Sequence, residues 1–278
     1  MNNNKRMNNN INTVKDFLVK PEIHKKWIND YRNSDNEKFY NYVFDYLIDN
    51  IKPKKNSTIL DFGCGTGVKS MHLAKRGLNV KGVDYSLDVL NKAILNVKSN
   101  KLENKISFSK EDITSISFKN NSFEYILCWG VLMHVEDCEK AISELSRILK
   151  PGGKIIISET NMHSFFRIFI LPILRKLSIS KKGNEKVTKY GIERWFKYSN
   201  DNLLAREADI NFLIKQFKNN NIILSKRIAG QFTESYVKVK SRFLKVLIHS
   251  FNNFWFRYIK LPFLAEANIL ILKKSDII

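Results

Sequence analysis

Ile59-Leu60-Asp61-Phe62-Gly63-Cys64-Gly65-Thr66-Gly67 is the stretch on which the fold turns. Thr58, Ile59, Leu60 and Phe62 are apolar or β-branched enough for a buried strand, and three glycines at alternate positions force a tight turn before Val68 to Lys75 resume as a helix. Glycine suits such a loop because a side chain would hold a ligand off the backbone and because the turn uses positive φ. The helix that follows presents unpaired N–H groups and a positive dipole end, which suit a carboxylate or phosphate. The loop is therefore expected to cradle an anionic or zwitterionic cofactor.

A glycine loop by itself is common to several nucleotide sites. Asn79 to Asp84 reads as the next strand and ends in an acid 23 positions after Asp61, where a carboxylate can accept both ribose hydroxyls. Asp84 is thus the expected ribose ligand. The loop has the form Asp-x-Gly-x-Gly-x-Gly, and its leading Asp61 sets a negative charge beside the cofactor's head. A pyrophosphate would be repelled by that charge, whereas the ammonium of a methionine moiety would be attracted.

This pattern resembles motif I of the class I S-adenosylmethionine (SAM) dependent methyltransferases, in particular the broad small-molecule group that includes quinone-biosynthesis and sugar methyltransferases. The resemblance implies SAM as cofactor, with Asp61, Gly63, Gly65, Gly67, Asp84 and Tyr85 around it. After the short third strand, Ile106 to Ser109, comes Glu111-Asp112-Ile113, where the family's acid bonds the adenine amino group; Asp112 matches it, with Ile113 alongside.

Phe123 to Trp129 reads as the fourth strand. In an open parallel sheet its C-terminal end faces the glycine loop, so Trp129-Gly130-Val131-Leu132-Met133-His134-Val135 should line the crevice at the switch point. In the family a His near the position of His134 lies close to the acceptor. Cys138 to Leu149 follows as a helix with Ala141, Leu145, Ile148 and Leu149 inward, then a Lys150-Pro151-Gly152-Gly153 turn and a fifth strand, Lys154 to Glu159. Leu-Lys-Pro-Gly-Gly before an apolar strand is another recurrent mark of the family. His134 is the candidate general base, and Glu159 is expected to orient it or to bind an acceptor hydroxyl.

At 278 residues and 44% apolar composition the chain can bury a full core. The expected divisions are a disordered Asn-rich tail at 1–14, a helical cover at 15–56, a SAM-binding core at 57–160 and a cap with the remaining strands at 161–278. Asn36 to Ile51 has helical spacing, and Trp27 and Tyr31 before it are candidates for aromatic cover of the cofactor. Ala208 to Phe217 reads as a helix, Ile222 to Ile228 as a sixth strand and Asn268 to Leu272 as the last. From the resemblance the fold class is α/β: a Rossmann-like, seven-stranded, mostly parallel sheet of order 3-2-1-4-5-7-6, helices on both faces, with a helical cap or insertion.

The net charge of +20 is unevenly placed. Residues 1–160 carry 25 Lys and Arg against 19 Asp and Glu, a balance of +6; the other 118 carry 22 against 8, a balance of +14. Between the last two strands, 242–248 and 254–261 mix aromatics with cations, the composition of a substrate lid or of a helix at a membrane interface. Cys64, Cys128 and Cys138 have no ligand-like spacing, so neither a metal site nor a disulfide framework is expected. Without a signal-like or spanning segment, a cytoplasmic, at most membrane-peripheral, location is expected.

These readings converge on O-methylation of a small or lipid-linked anionic acceptor of the sugar or quinone/prenyl type. Two alternatives stand beside it: a nucleic-acid methyltransferase, prompted by the charge, and a non-catalytic SAM-binding protein at a membrane surface. Nucleic acid is disfavoured because Cys128-Trp129-Gly130-Val131 stands where a base-gripping Pro-Pro-aromatic run is usual. A nicotinamide-dependent dehydrogenase is disfavoured by Asp61.

Overall fold

The computed structural model describes residues 14, 18–20, 34–177, 179, 184–198 and 201–276. Trp27 and Tyr31, and all of the expected tail except Val14, lie outside the described residues. Val14 is buried and its N–H reaches the Glu136 carboxylate at 3.4 Å.

Seven strands form the main sheet: β1 (Thr58–Phe62), β2 (Asn79–Asp84), β3 (Ile106–Lys110), β4 (Phe123–Trp129), β5 (Leu149–Thr160), β9 (Ile222–Ala229) and β10 (Ala267–Lys274). Their order is β3-β2-β1-β4-β5-β10-β9. The pairings from β3 to β5 are parallel, and β10 runs antiparallel to both β5 and β9. This is the order the family resemblance implies, with the last strand reversed.

Because side chains alternate across a strand, β1 feeds two cores. Leu60 and Phe62 pack with Ile126, Ala141, Leu145 and Phe217 on one face of the sheet. Ile59 packs with Phe39, Phe44, Leu73 and Ile156 on the other. The first face is covered by α4 (Cys138–Ile148) and α6 (Ile210–Asn219), the second by α1 (Ser34–Ile51) and α2 (Val68–Lys75). The remaining helices are α3 (Leu87–Ser99), capped by the Ser86 hydroxyl, α5 (Leu171–Lys176) and α7 (Arg242–Phe254). Among the described residues no helix is long and apolar enough to cross a membrane.

Three readings differ in detail. The Lys150 to Gly153 turn is an irregularity at the start of β5: Phe123 pairs with Leu149 but Tyr125 with Lys154, and Gly152 supplies the positive φ of 73°. The helix expected from Ala208 starts at Ile210, since the Asp209 carboxylate caps the N–H groups of Asn211 and Phe212. The cap, expected to be helical, also holds a three-stranded antiparallel sheet of β6 (Glu185–Thr188), β7 (Gly191–Tyr198) and β8 (Asp201–Ala208).

Candidate active site

The chain crosses from one side of β1 to the other between β3 and β4, and ligand crevices form where strand order reverses. A cavity of about 1060 Å³ opens there, at the upper end of the roughly 300–1,000 Å³ usual for ligand pockets. It has room for two ligands side by side. Its walls come from the glycine loop, the ends of β2 and β4, the 111–114 segment, α1, β8 and the loop after β9.

Gly63, Gly65 and Gly67 all have positive φ, but they do different work. A Cβ on Gly63 would lie 2.3 Å from the Val131 side chain, so this glycine lets the loop close on the segment after β4. Gly65 lines the cavity, and a Cβ there would meet nothing within 4 Å. Its bare backbone faces open space, as a close-fitting ligand requires. Gly67 caps α2 and packs beneath Phe108, outside the cavity lining.

Asp84 lines the cavity and accepts the N–H groups of Gly65 and Ser86, each at 3.0 Å. One carboxylate therefore ties the glycine loop to the end of β2. Asp112 also lines the cavity, in a turn closed by Thr114 N–H at 2.9 Å and Thr114 Oγ1 at 2.7 Å. Tyr85 and Ile113 line it beside these acids.

Asp61 is 1% exposed and does not line the cavity. Its carboxylate accepts the Ser70 hydroxyl at 2.5 Å, and burial pushes its pKa up to about 6. Its charge is felt instead by Lys69, which does line the cavity. The Lys69 ammonium lies 5.5 Å from the Tyr40 ring centre and 5.7 Å from that of Trp129, within cation–π range. Burial lowers its pKa, while Asp61 and Glu234 hold it up. Trp129 in turn stacks on Phe44 at 6.0 Å.

His134 also lines the cavity, on the single 3₁₀ turn Leu132–His134. Its Nδ1–H donates to the Leu204 carbonyl of β8 at 2.6 Å, an arrangement that puts the imidazole lone pair on Nε2. Burial lowers its pKa to about 4, so the ring is neutral at physiological pH, well below the near-neutral titration expected of an ordinary histidine.

Glu159 is 3% exposed, and its two oxygens accept the N–H groups of Val131 at 3.1 Å, Leu132 at 2.9 Å and Met133 at 3.2 Å. It holds the backbone that carries His134. Arg206 completes this support from the cap: it is 2% exposed, donates to the carbonyls of Leu132 at 2.9 Å and Val135 at 3.0 Å, and pairs with Glu193 at 2.8 Å. Sequence reading missed Lys69, Arg206 and the Tyr40 wall. In the sequence, the polar Ser199-Asn200-Asp201-Asn202 run between Trp195-Phe196 and Leu203-Leu204 is the signal from which a hairpin could have been read.

The cavity thus joins a glycine cradle with acids and a neutral imidazole, in a Rossmann-like sheet with one reversed strand. The chain belongs to the methyltransferase-domain family, whose model matches residues 53–228. It is 36% identical over 105 residues to a norajmaline N-methyltransferase of Rauvolfia serpentina, covering 37% of this chain and 36% of that protein. It is 35% identical over 139 residues to a demethylmenaquinone methyltransferase of Bacteroides fragilis, covering 46% and 56%. With a ubiquinone biosynthesis O-methyltransferase of Hydrogenovibrio crunogenus the identity is 31% over 180 residues, covering 59% and 70%. The chain spans from about a third to just over half the length of the first two relatives. Among solved structures, a magnesium protoporphyrin IX methyltransferase of Synechocystis PCC 6803 with bound SAH has the same fold, with a TM-score of 0.61 at 16% identity over 94% of this chain and 98% of that one.

Proposed function

We propose that this chain transfers the methyl group of SAM to a hydroxyl oxygen of a small, partly apolar, anionic acceptor, of which lipid-linked sugars and quinone or prenyl-type compounds are the leading classes. The observation that carries this reading is that the neutral His134 imidazole and the open Gly65 backbone line one cavity. SAM supplies an electrophilic methyl on a sulfonium. Asp84 would bind the ribose, and Asp112 with Ile113 and Tyr85 would flank the adenine. The backbone of Gly63 and Gly65 would approach the methionine part, and Lys69 would pair with its carboxylate. Asp61 acts through Lys69, and Trp129 shields the same end.

Displacement at a sulfonium needs chiefly alignment, which can supply roughly 7–11 kcal/mol of effective concentration. His134 Nε2 would take the hydroxyl proton, with Nδ1 fixed on Leu204. Glu159 and Arg206 are positioning residues, because both hold the 131–135 backbone, and Glu159 also lines the cavity. The likeness to a ubiquinone biosynthesis O-methyltransferase supports an oxygen acceptor. The apolar wall of Val131, Val135, Phe196, Leu203 and Ala205 supports a partly apolar one, and the +14 balance beyond residue 160 supports an anionic one.

The test is calorimetric titration with SAM and S-adenosylhomocysteine for wild type, Asp84→Ala and His134→Ala, followed by methyl transfer from labelled SAM to anionic glycolipids and hydroquinones. The expected result is saturable binding that falls in Asp84→Ala and persists in His134→Ala, with transfer lost in His134→Ala. Binding without transfer to any acceptor class would favour a non-catalytic SAM-binding protein.

A further inference from the structure

The cap wears its apolar side outward. α7 and the π-helical turn Trp255–Ile259 that continues it bury His249, Asn252 and Phe256. Phe243, Leu247, Phe251, Phe254 and Tyr258, spaced by four, four, three and four residues, form one exposed stripe. Phe243 is 71% exposed and Tyr258 66%, whereas the polar His249 and Asn252 are 4% and 0%. A helix folded only for water would carry the reverse pattern.

A second segment extends the same surface. Ile168, Phe169, Ile173 and Leu177, on the π-helical turn Phe166–Ile170 and on and just after α5, are exposed as well. The two segments meet through Phe232, whose ring centre lies 6.0 Å from that of Phe165, 5.2 Å from Phe251 and 4.4 Å from Trp255. Lys238 sits over the Phe166 ring at 5.7 Å. Residues 242–263 hold two Arg and two Lys and no acid; Arg242 is paired with Asp35 of α1, and Arg167 and Arg175 of the second segment are paired with Glu185.

We infer that this face docks the protein on an anionic lipid bilayer, with α7 lying in the headgroup plane. An exposed apolar stripe on a segment that also carries Lys245, Arg257 and Lys260 matches the interface of hydrocarbon and phosphate headgroups. A second copy of the chain fits less well, because pairing this face with itself would oppose like charges. The inference deepens the partner side of the proposed function: Gln231 and Glu234 line the cavity, and Phe232 between them packs under the exposed helices. The loop after β9 therefore joins the bilayer face to the acceptor cavity, which suits an acceptor drawn from the lipid.

The test is co-sedimentation of the full chain with phosphatidylcholine vesicles and with vesicles containing phosphatidylglycerol, at low and high salt. Two variants accompany it, Phe243→Ser/Leu247→Ser/Phe254→Ser and Lys245→Glu/Lys260→Glu, each checked by circular dichroism and SAM titration. The wild type is expected to bind the anionic vesicles at least tenfold more tightly than the neutral ones, with salt weakening the interaction. Both variants are expected to lose tenfold or more while keeping helix content and SAM affinity. Equal sedimentation of wild type and folded variants, or no sedimentation of wild type, would overturn the inference. So would a self-associated wild type, by gel filtration, that the triple-serine variant turns monomeric without any vesicle dependence. Vesicle binding does not require methyl transfer, so the two proposals fail separately.

Discussion

The Glu159 carboxylate accepts the backbone N–H of Leu132 at 2.9 Å, and with Val131 and Met133 it satisfies three successive N–H groups at the head of the turn that carries His134. The first N–H groups of a helical turn have no partner within it, and here a strand-end carboxylate on β5 fills that role for the loop after β4. Strand β5 thereby sets the height of the imidazole above the sheet.

Burial raises the Glu159 pKa from 4.5 to about 7, against the pull of these donors and Arg206. A raised carboxyl contributes stability that is complete below its unfolded value and is lost as pH rises through its folded one, here between about 4.5 and 7, and the loss is about 3 kcal/mol. Glu159→Gln removes this slope; at low pH its amide resembles the protonated carboxyl, which likewise turns a donor toward one of the three N–H groups, so any deficit there should be small. Urea denaturation of both proteins at pH 5 and pH 8 checks it: the wild type should lose stability relative to the variant between the two. A deficit independent of pH would mean that Glu159 is not titrating in that range.

His134 carries its pH signature the other way. Its pKa falls from 6.5 to about 4, so its contribution to stability is complete above 6.5 and is lost as pH falls toward 4. The acid limb of kcat/KM assigned to this base should therefore lie near pH 4, with no inflection near 6.5. His134→Ala should reduce kcat by about 10²–10⁴-fold with little change in SAM affinity. An acid limb at 6.5 in wild type would remove His134 as the base.

Much of this was legible in the sequence because local chemistry and fold agree over 57–160. The Asp61 to Gly67 loop, the Asp84 strand end and the Leu149 to Gly153 run each need particular residues for backbone reasons, and they fell into place. Partnerships were harder to read. That Ser70 takes up Asp61, that Arg206 reaches Leu132 across 74 positions, and that Glu159 accepts the N–H groups of Val131, Leu132 and Met133 all depend on tertiary approach. The cap strands were missed because Glu185 to Ala208 mixes charge with aromatics, and the alternation is readable only once the hairpin pairs Trp195 with Leu204.

Gly63 and Gly65 should separate stability from binding. Gly63→Ala drives a Cβ into Val131 at positive φ and should cost about 1–3 kcal/mol, loosening the turn behind it. Gly65→Ala meets no atom, so its cost should be limited to the left-handed backbone, about 1–2 kcal/mol. S-adenosylhomocysteine affinity should nevertheless fall tenfold or more in Gly65→Ala, because the methyl fills the space where the ligand approaches. Thermal melts beside calorimetry decide it, and unchanged affinity in Gly65→Ala would show that the ligand does not lie against this backbone.

Lys69 offers the sharpest test of which end of the donor lies where. Its ammonium stands against the Tyr40 and Trp129 rings, and Asp61 and Glu234 oppose the lowering of its pKa by burial. Lys69→Met keeps the bulk and removes the charge. Loss of one charged hydrogen bond, about 1.5–3 kcal/mol, is roughly a 10- to 100-fold loss of affinity for S-adenosylhomocysteine. Methylthioadenosine, which has the adenosine and sulfur but no carboxylate, should bind wild type and Lys69→Met alike. If both ligands weaken equally, Lys69 is holding the Trp129 wall in shape. If neither weakens, the carboxylate is held by the helix α2 N-terminus alone.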